Sequence, residues 1–337
     1  MQDKMVGGTQ NSERNKAFDL LKIVCTLIII LHHTEFFYGV LNRGYIAVEF
    51  FFITSGFFLY HSYINNPGVD TKHYFIKRAR RLYPEYWFAF LILLIARLCM
   101  HSVPYTHWYS PFLELSLLQN VGMPLENAAM NYPCWYLSVL LFGGTVIYIL
   151  LRKLSKRNFN IAAVGIVICT YAYLISQSPD IEQWGTAGFV FYLPFWRGMA
   201  DMMIGIIIYQ LPKPKKIPGV IIELCSGIGI IILLRINGDF DYLAVAFIIL
   251  LTWSICSSSS ILRKIGNLKI VNVINKYQYG MYVNHICVIL IFRQLAVVSS
   301  TNWGVTVTVL FVCIFLLSWV GMFTTSQIQR RIKCINR

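Results

Sequence analysis

KIVCTLIIILHHTEFF, residues 22–37, runs nine residues without a charge, Ile23 to Leu31, and then sets His32 and His33 side by side. Taken back to Phe18, the stretch is about the 20 residues that a helix needs to cross a bilayer. Nine more apolar runs of comparable length follow, near residues 44–64, 83–100, 133–151, 159–176, 189–210, 217–234, 241–259, 278–298 and 304–325. Of 337 residues, 57% are hydrophobic, 15% aromatic and only 13% charged, a balance foreign to soluble domains. The expected fold is therefore all-α: a polytopic membrane protein of about ten transmembrane helices, in the inner or plasma membrane.

The net charge of +14 raises nucleic acid as a partner, and the positions of the charges argue against it. With the N-terminus placed inside, 23 of the 29 lysines and arginines fall in inner segments. Only Arg43 and Arg235 fall outside, and Lys22, Arg97, Arg197 and Arg293 lie within the runs. So one-sided a split is the positive-inside pattern, with both termini cytoplasmic and no nucleic acid implied. The first 17 residues are polar and of mixed charge, without the basic and apolar regions of a signal peptide, so no cleaved signal is expected. The boundaries follow: 1–17 a polar cytoplasmic segment, 18–325 one membrane domain, 326–337 a basic cytoplasmic tail. Nine scattered cysteines, none in C-x-x-C spacing, read as small buried hydrophobes. The longest outer connection, His101 to Tyr132, holds His107, Trp108, Tyr109, Glu114, Glu126, Asn127 and Asn131. Such a mixture suits an aromatic interface belt, or a surface that stacks on and hydrogen-bonds to a sugar.

Ionisable groups inside membrane spans are costly, which makes each a functional candidate. The first run offers Asp19, Lys22, His32, His33 and Glu35. From Lys22 to His33 is eleven residues, roughly three turns plus 20°, so the two share a helix face, while His32 is turned about 80° away. His33 lies about 17 Å beyond Lys22 along the axis, where a base or nucleophile would stand between a cytoplasmic reagent and an external one. Helix packing is the alternative role. Glu49, at a similar depth in the second run, would fix the tautomer of His33 if the two met. Ser55 and Gly56 lie deeper and suit close helix packing. In FIKRARRLYPEYW, residues 75–87, Arg78 and Arg81 share a face and suit either membrane anchoring or a phosphate clamp. Arg197 and Asp201, four apart, read as an intrahelical ion pair. Tyr279, Tyr282 and His285 fall near the inner side of the ninth run, with Arg293 farther out. Lys22, His33, Glu49, Arg197, Asp201 and His285 would equally form the relay of a proton-coupled transporter or flippase.

Four blocks in order give the chain a resemblance. FDLLKIVCTLIIILHH, GYIAVEFFFITSGFFL, FIKRARRLYPEYW and YGMYVNHICVI look like the opening D-x-x-R with a later histidine, the acid-FF-SGF block, the R-x-x-R block and the late G-x-Y-x-x-H block of one family. The sequence resembles the acyltransferase 3 family of integral-membrane acyltransferases, which modify cell-surface glycans. That resemblance implies His33 as catalytic histidine, and Arg78 with Arg81 as the cytoplasmic pair tied to acyl-CoA. Its implied donor is acetyl-CoA or another short acyl-CoA, a substrate and not a resident cofactor, and its implied acceptor is a hydroxyl of a surface or lipid-linked glycan. His33 would act as base or carry the acyl group, and Lys22 would lie along the donor's path or pair with Asp19. Two departures stand out. Lys22 replaces the usual arginine and loses its planar fork. Trp135 matches a W-x-L block, but Leu140 lies where many members have a glutamate. Many relatives carry an extracytoplasmic esterase-like domain after the membrane domain. A chain ending at Arg337 is expected to finish transfer alone or to hand acyl groups to a separate protein.

Overall fold

The computed structural model describes residues 15–34, 41, 43–105, 107–119, 121, 129–181, 192–236, 239–295 and 303–335, with side chains as far as residue 331. Among these the regular structure is helical. In chain order the helices are α1 (Lys16–His32), α2 (Ala47–Asn65), α3 (Thr71–Cys99), α4 (Ser110–Leu115), α5 (Trp135–Lys153), α6 (Lys156–Gln177), α7 (Leu193–Gln210), α8 (Lys216–Leu233), α9 (Asp241–Ser254), α10 (Ile261–Gly266), α11 (Lys269–Gln294) and α12 (Trp303–Ile335). Each of the ten apolar runs carries a long helix, and α4 and α10 are short additions. Five helices, α3, α5, α6, α8 and α12, are long and apolar enough to cross a membrane. The chain is a multi-pass membrane protein. Glu35, Glu126 and Asn127 lie outside the described residues.

Several helices outrun their apolar stretches, because Lys and Arg are good helix formers and keep a helix going once it leaves the membrane. Thus α3 begins at Thr71, capped by the Asp70 side chain, and carries the whole arginine cluster before passing through Pro84. Its 29 residues span about 43 Å, more than a bilayer core. In the same way α12 continues through the basic segment to Ile335, and α11 starts at Lys269, nine residues ahead of its apolar run.

Long helices alternate in direction. At the basic end, the start of α1 meets the end of α9 (Asn15 Nδ2 to Ile255 O, 2.8 Å), the end of α2 meets that of α5 (Tyr63 OH to Leu151 O, 2.8 Å), and the start of α6 meets the end of α7 through reciprocal Asn160–Gln210 bonds. At the far end, Arg43 Nη1 donates to Asp241 Oδ1 at 2.8 Å, while Tyr45 OH and Ile181 N bond Asp241 Oδ2. Arg43, counted above as an outer charge, is buried in this ion pair.

The centre of the bundle is the crossing of α2 with α7. A Cβ on Gly56 would run into the Met202 carbonyl and one on Gly205 into the Ile53 carbonyl, so the two backbones touch where only glycine fits. Helices α2, α5 and α7 share one large apolar core, whereas α6, α8 and α12 leave most of their surface facing outward. Cys99, Cys169 and Cys225 sit on exposed positions, not in the interior as expected; apolar outer faces take a cysteine as readily as the core does.

The connection after α3 also departs from the expected outer loop. It folds back along α3: Tyr86 OH donates to Glu114 O (2.6 Å), Trp87 Nε1 to Leu115 O (3.0 Å) and Tyr83 OH to Ser116 O (2.9 Å). Tyr86 is about 20 Å from the outer end of α3 by helical rise, so α4 re-enters the bundle. Irregular backbone is tolerated at that depth because its polar groups are met by protein. Trp108 and Phe112 remain exposed on this segment.

Candidate active site

Arg78 and Arg81 stand on the inner stretch of α3. Arg78 is half-buried; its Nη1 donates to Tyr74 OH at 3.0 Å, Tyr74 stacks on Tyr148 of α5, and the Arg78 Nε is buried without a hydrogen bond among the described residues. Gly144 of α5 opens this space, since a Cβ there would lie 3.2 Å from the Tyr74 hydroxyl. Arg81 is exposed. Both guanidinium charges act on the buried phenol of Tyr136, which lies beside Ser55 of α2. Ser55 therefore has a polar neighbour as well as permitting close packing.

From Tyr136 an aromatic line leads to the far end. The ring centroids of Tyr136 and Tyr282 are 5.7 Å apart, those of Tyr282 and His285 5.8 Å, and those of His285 and His33 5.1 Å. Tyr282 OH donates to Pro133 O at 2.6 Å, tying α11 to the turn before α5. His285 was expected near the inner side. It lies instead beside His33, because α11 starts nine residues earlier than its apolar run. The pair is recessed about 14 Å below the last residue of α11.

The two histidines are held alike. His33 caps the C-terminus of α1, and its Nδ1 meets Ile29 O at 2.7 Å. His285 Nδ1 meets Tyr282 O in the same manner. A carbonyl only accepts, so each Nδ1 carries the proton and each Nε2 is left as a bare lone pair. His285 Nε2 is buried without a partner among the described residues, and the ring of Tyr132 lies 5.3 Å from that of His33. Arg293 Nη2 donates to the His33 carbonyl at 3.2 Å. The His32 ring sits edge-on between those of His33 (5.2 Å) and Tyr45 (5.6 Å), with Gly44 against its Cβ.

Glu49 does not meet His33. It is fully buried against Arg197 of α7 (Nε to Oε1, 3.2 Å), and Asp201, bonded by Tyr171 OH, is buried nearby with its charge acting on the same group. Arg197 lies over the Trp135 ring at 5.0 Å and donates to Ile181 O. So Arg197 pairs across helices and not with Asp201 along its own. The α2–α7 crossing turns the Glu49 side chain to α7 and away from the expected pairing. Near the basic end Lys16 Nζ lies 3.6 Å from Asp19 Oδ2, and Lys22 Nζ sits 4.7 Å over the Phe58 ring. Gln278 Nε2 donates to Thr26 Oγ1 at 2.6 Å.

Two parts of the site had no sequence signal. Tyr136 is one aromatic residue within an apolar run. Glu114 was one polar residue of a loop, yet it is fully buried and accepts from Tyr105 OH, Met130 N and Asn131 N, fixing the turn that brings Tyr132 to His33.

An up-and-down membrane bundle with a recessed pair of imidazoles, and a line of aromatic rings leading from it toward an arginine pair at the basic end, belongs to the class of helical integral-membrane proteins with a polar centre. The acyltransferase domain family, acyltransferase 3, matches residues 15–323, and the chain belongs to it. It is similar to the putative peptidoglycan O-acetyltransferase YrhL of Bacillus subtilis (22% identical, over 91% of this chain and 54% of the relative). It is also similar to the peptidoglycan O-acetyltransferase OatA of Listeria monocytogenes (22% identical, over 85% and 51%) and to an amino-acid racemase of Enterococcus faecalis (26% identical, over 47% and 22%). The chain thus spans about half the length of the two O-acetyltransferases, and less of the racemase. No solved structure matches at the same level.

Proposed function

We propose that the protein is a membrane O-acyltransferase that moves an acetyl, or another short acyl group, from cytoplasmic acyl-CoA to a hydroxyl of a surface or lipid-linked glycan. One observation carries the reading: the His33 ring, its Nδ1 spent on Ile29 O, stands at one end of a ring line whose other end, Tyr136, feels the charges of Arg78 and Arg81. In it, the basic end faces the cytoplasm, ten helices cross the cell membrane, and both termini lie inside. Arg78 and Arg81 bind the CoA phosphates, with the half-buried Arg78 offering its fork at the entrance. The pantetheine arm runs past Ser55, Tyr136 and Tyr282, and Lys22 lies toward the inner end of the same α1 face.

His33 Nε2 takes the proton of the glycan hydroxyl as its oxygen attacks the thioester carbonyl. The C–S bond then breaks, and the departing thiolate takes the proton back from Nε2. The Nδ1–H bond to Ile29 O keeps the ring in the tautomer that the step needs. Peptidoglycan, named for two of the relatives, is the acceptor proposed first. The test is release of free CoA from acetyl-CoA by purified protein with peptidoglycan fragments present. Ester formed on the fragment in step with CoA release supports the reading; unmodified glycan and intact acetyl-CoA would point to transport instead.

A further inference from the structure

Beside His33 the described residues gather hydrogen-bond acceptors that have no donors. His285 Nε2 and Asn131 Oδ1 are both buried without partners, on residues no more than 1% exposed. The orientation of each is fixed. Asn131 Nδ2 donates to Val283 O at 2.8 Å, so its oxygen is the free end, and His285 Nδ1 is spent on Tyr282 O. These anchors are consecutive carbonyls of α11, so both residues are tied to the same turn of that helix, and the ring of Tyr132, next in sequence to Asn131, lies 5.3 Å from that of His33. Glu114 holds the Asn131 backbone from behind, and the His33 ring is 5.1 Å from that of His285.

Burying acceptors with nothing to accept is costly, and a protein keeps such groups where a ligand supplies the donors. We infer that His285 Nε2 and Asn131 Oδ1 form the acceptor-sugar subsite, taking hydrogen bonds from donor groups that flank the hydroxyl given to His33. The preferred acceptor is therefore a sugar with at least two further hydroxyl donors beside the reacting hydroxyl. A simple alcohol is excluded because it leaves two buried acceptors empty. Two imidazoles and one amide oxygen lack the anionic ligand typical of a tight cation site, and no metal-binding group of three His, Cys, Asp or Glu occurs among the described residues.

The inference rests on the glycan reading above but is tested apart from acyl transfer. The probes are the disaccharide N-acetylglucosaminyl-N-acetylmuramic acid and its O-methylated derivative, which keeps the shape and loses the hydroxyl donors. Their binding to the full chain in lipid nanodiscs is measured directly for wild type, His285→Phe, His285→Gln, Asn131→Leu and Asn131→Asp. Wild type should bind the disaccharide at least about tenfold more tightly than the methylated form. His285→Phe and Asn131→Leu should erase that preference, and His285→Gln and Asn131→Asp, which keep an acceptor, should restore much of it. Acetyl-CoA binding by the same preparations should not change, which also shows that the variants are folded. No binding of the disaccharide, equal binding of both forms, or loss of binding on adding EDTA overturns the inference. Intact discrimination in a protein that binds no acetyl-CoA would leave this subsite standing and overturn the acyl-CoA reading.

Discussion

Removing the His33 imidazole takes away the proposed base while leaving both substrates their binding groups. His33→Ala should therefore cut acyl transfer from labelled acetyl-CoA by about 10²–10⁴-fold, with acetyl-CoA binding kept. His32→Ala, at a ring that faces Tyr45, should retain most activity; the reverse pattern would move the chemistry to His32. At the other end, Arg78→Ala combined with Arg81→Ala should weaken acetyl-CoA binding about tenfold or more, since each removes a charged hydrogen-bond donor. Unchanged affinity would leave those arginines an anchoring role. In the sequence, helical periodicity is what sets His33 apart from His32. The partner of Glu49 was not legible there, because depth along a helix is written in the sequence and the identity of the facing helix is not. His285 was misplaced for a third reason: counting from the apolar run ignores the polar turns with which α11 begins.

Two elements hold the site without touching substrate in this account, and each has a weak point. The α2–α7 crossing depends on backbone contact at Gly56 and Gly205. Gly205→Val should cost about 1–3 kcal/mol by overpacking, read as a lower unfolding temperature in detergent, because the Ile53 carbonyl cannot give way as a side chain would. The re-entrant segment depends on Glu114. Glu114→Gln replaces one acceptor oxygen with an amide NH₂ facing backbone N–H donors, at about 1–3 kcal/mol, and should lower acyl transfer as Asn131 and Tyr132 shift. A stable, fully active variant would show that the segment is not needed to shape the site. Hydrophobic runs marked the ten long helices well. They said nothing of a segment that re-enters the bundle, because its depth comes from hydrogen bonds of Tyr83, Tyr86 and Trp87 to its backbone, not from its own hydrophobicity.

On the scale of the whole molecule, the proposed function requires two substrates to meet from opposite sides. The alternating helices, the basic end with its arginine pair, and the histidines recessed from the far end compose one arrangement for that meeting. The proposed orientation rests on the charge asymmetry, since arginines and lysines stay on the side where they are synthesised. The ring line from Tyr136 to His33 was hidden, since it joins α5, α11 and α1 across distant parts of the chain. The most direct test uses the protein reconstituted in sealed vesicles with a single orientation, acetyl-CoA on the side of the basic end and the peptidoglycan disaccharide only on the other. Ester should form on the disaccharide with wild type and not with His33→Ala, while free CoA appears on the donor side. Ester formation only when both substrates share one side, or undiminished transfer by His33→Ala, would contradict the account.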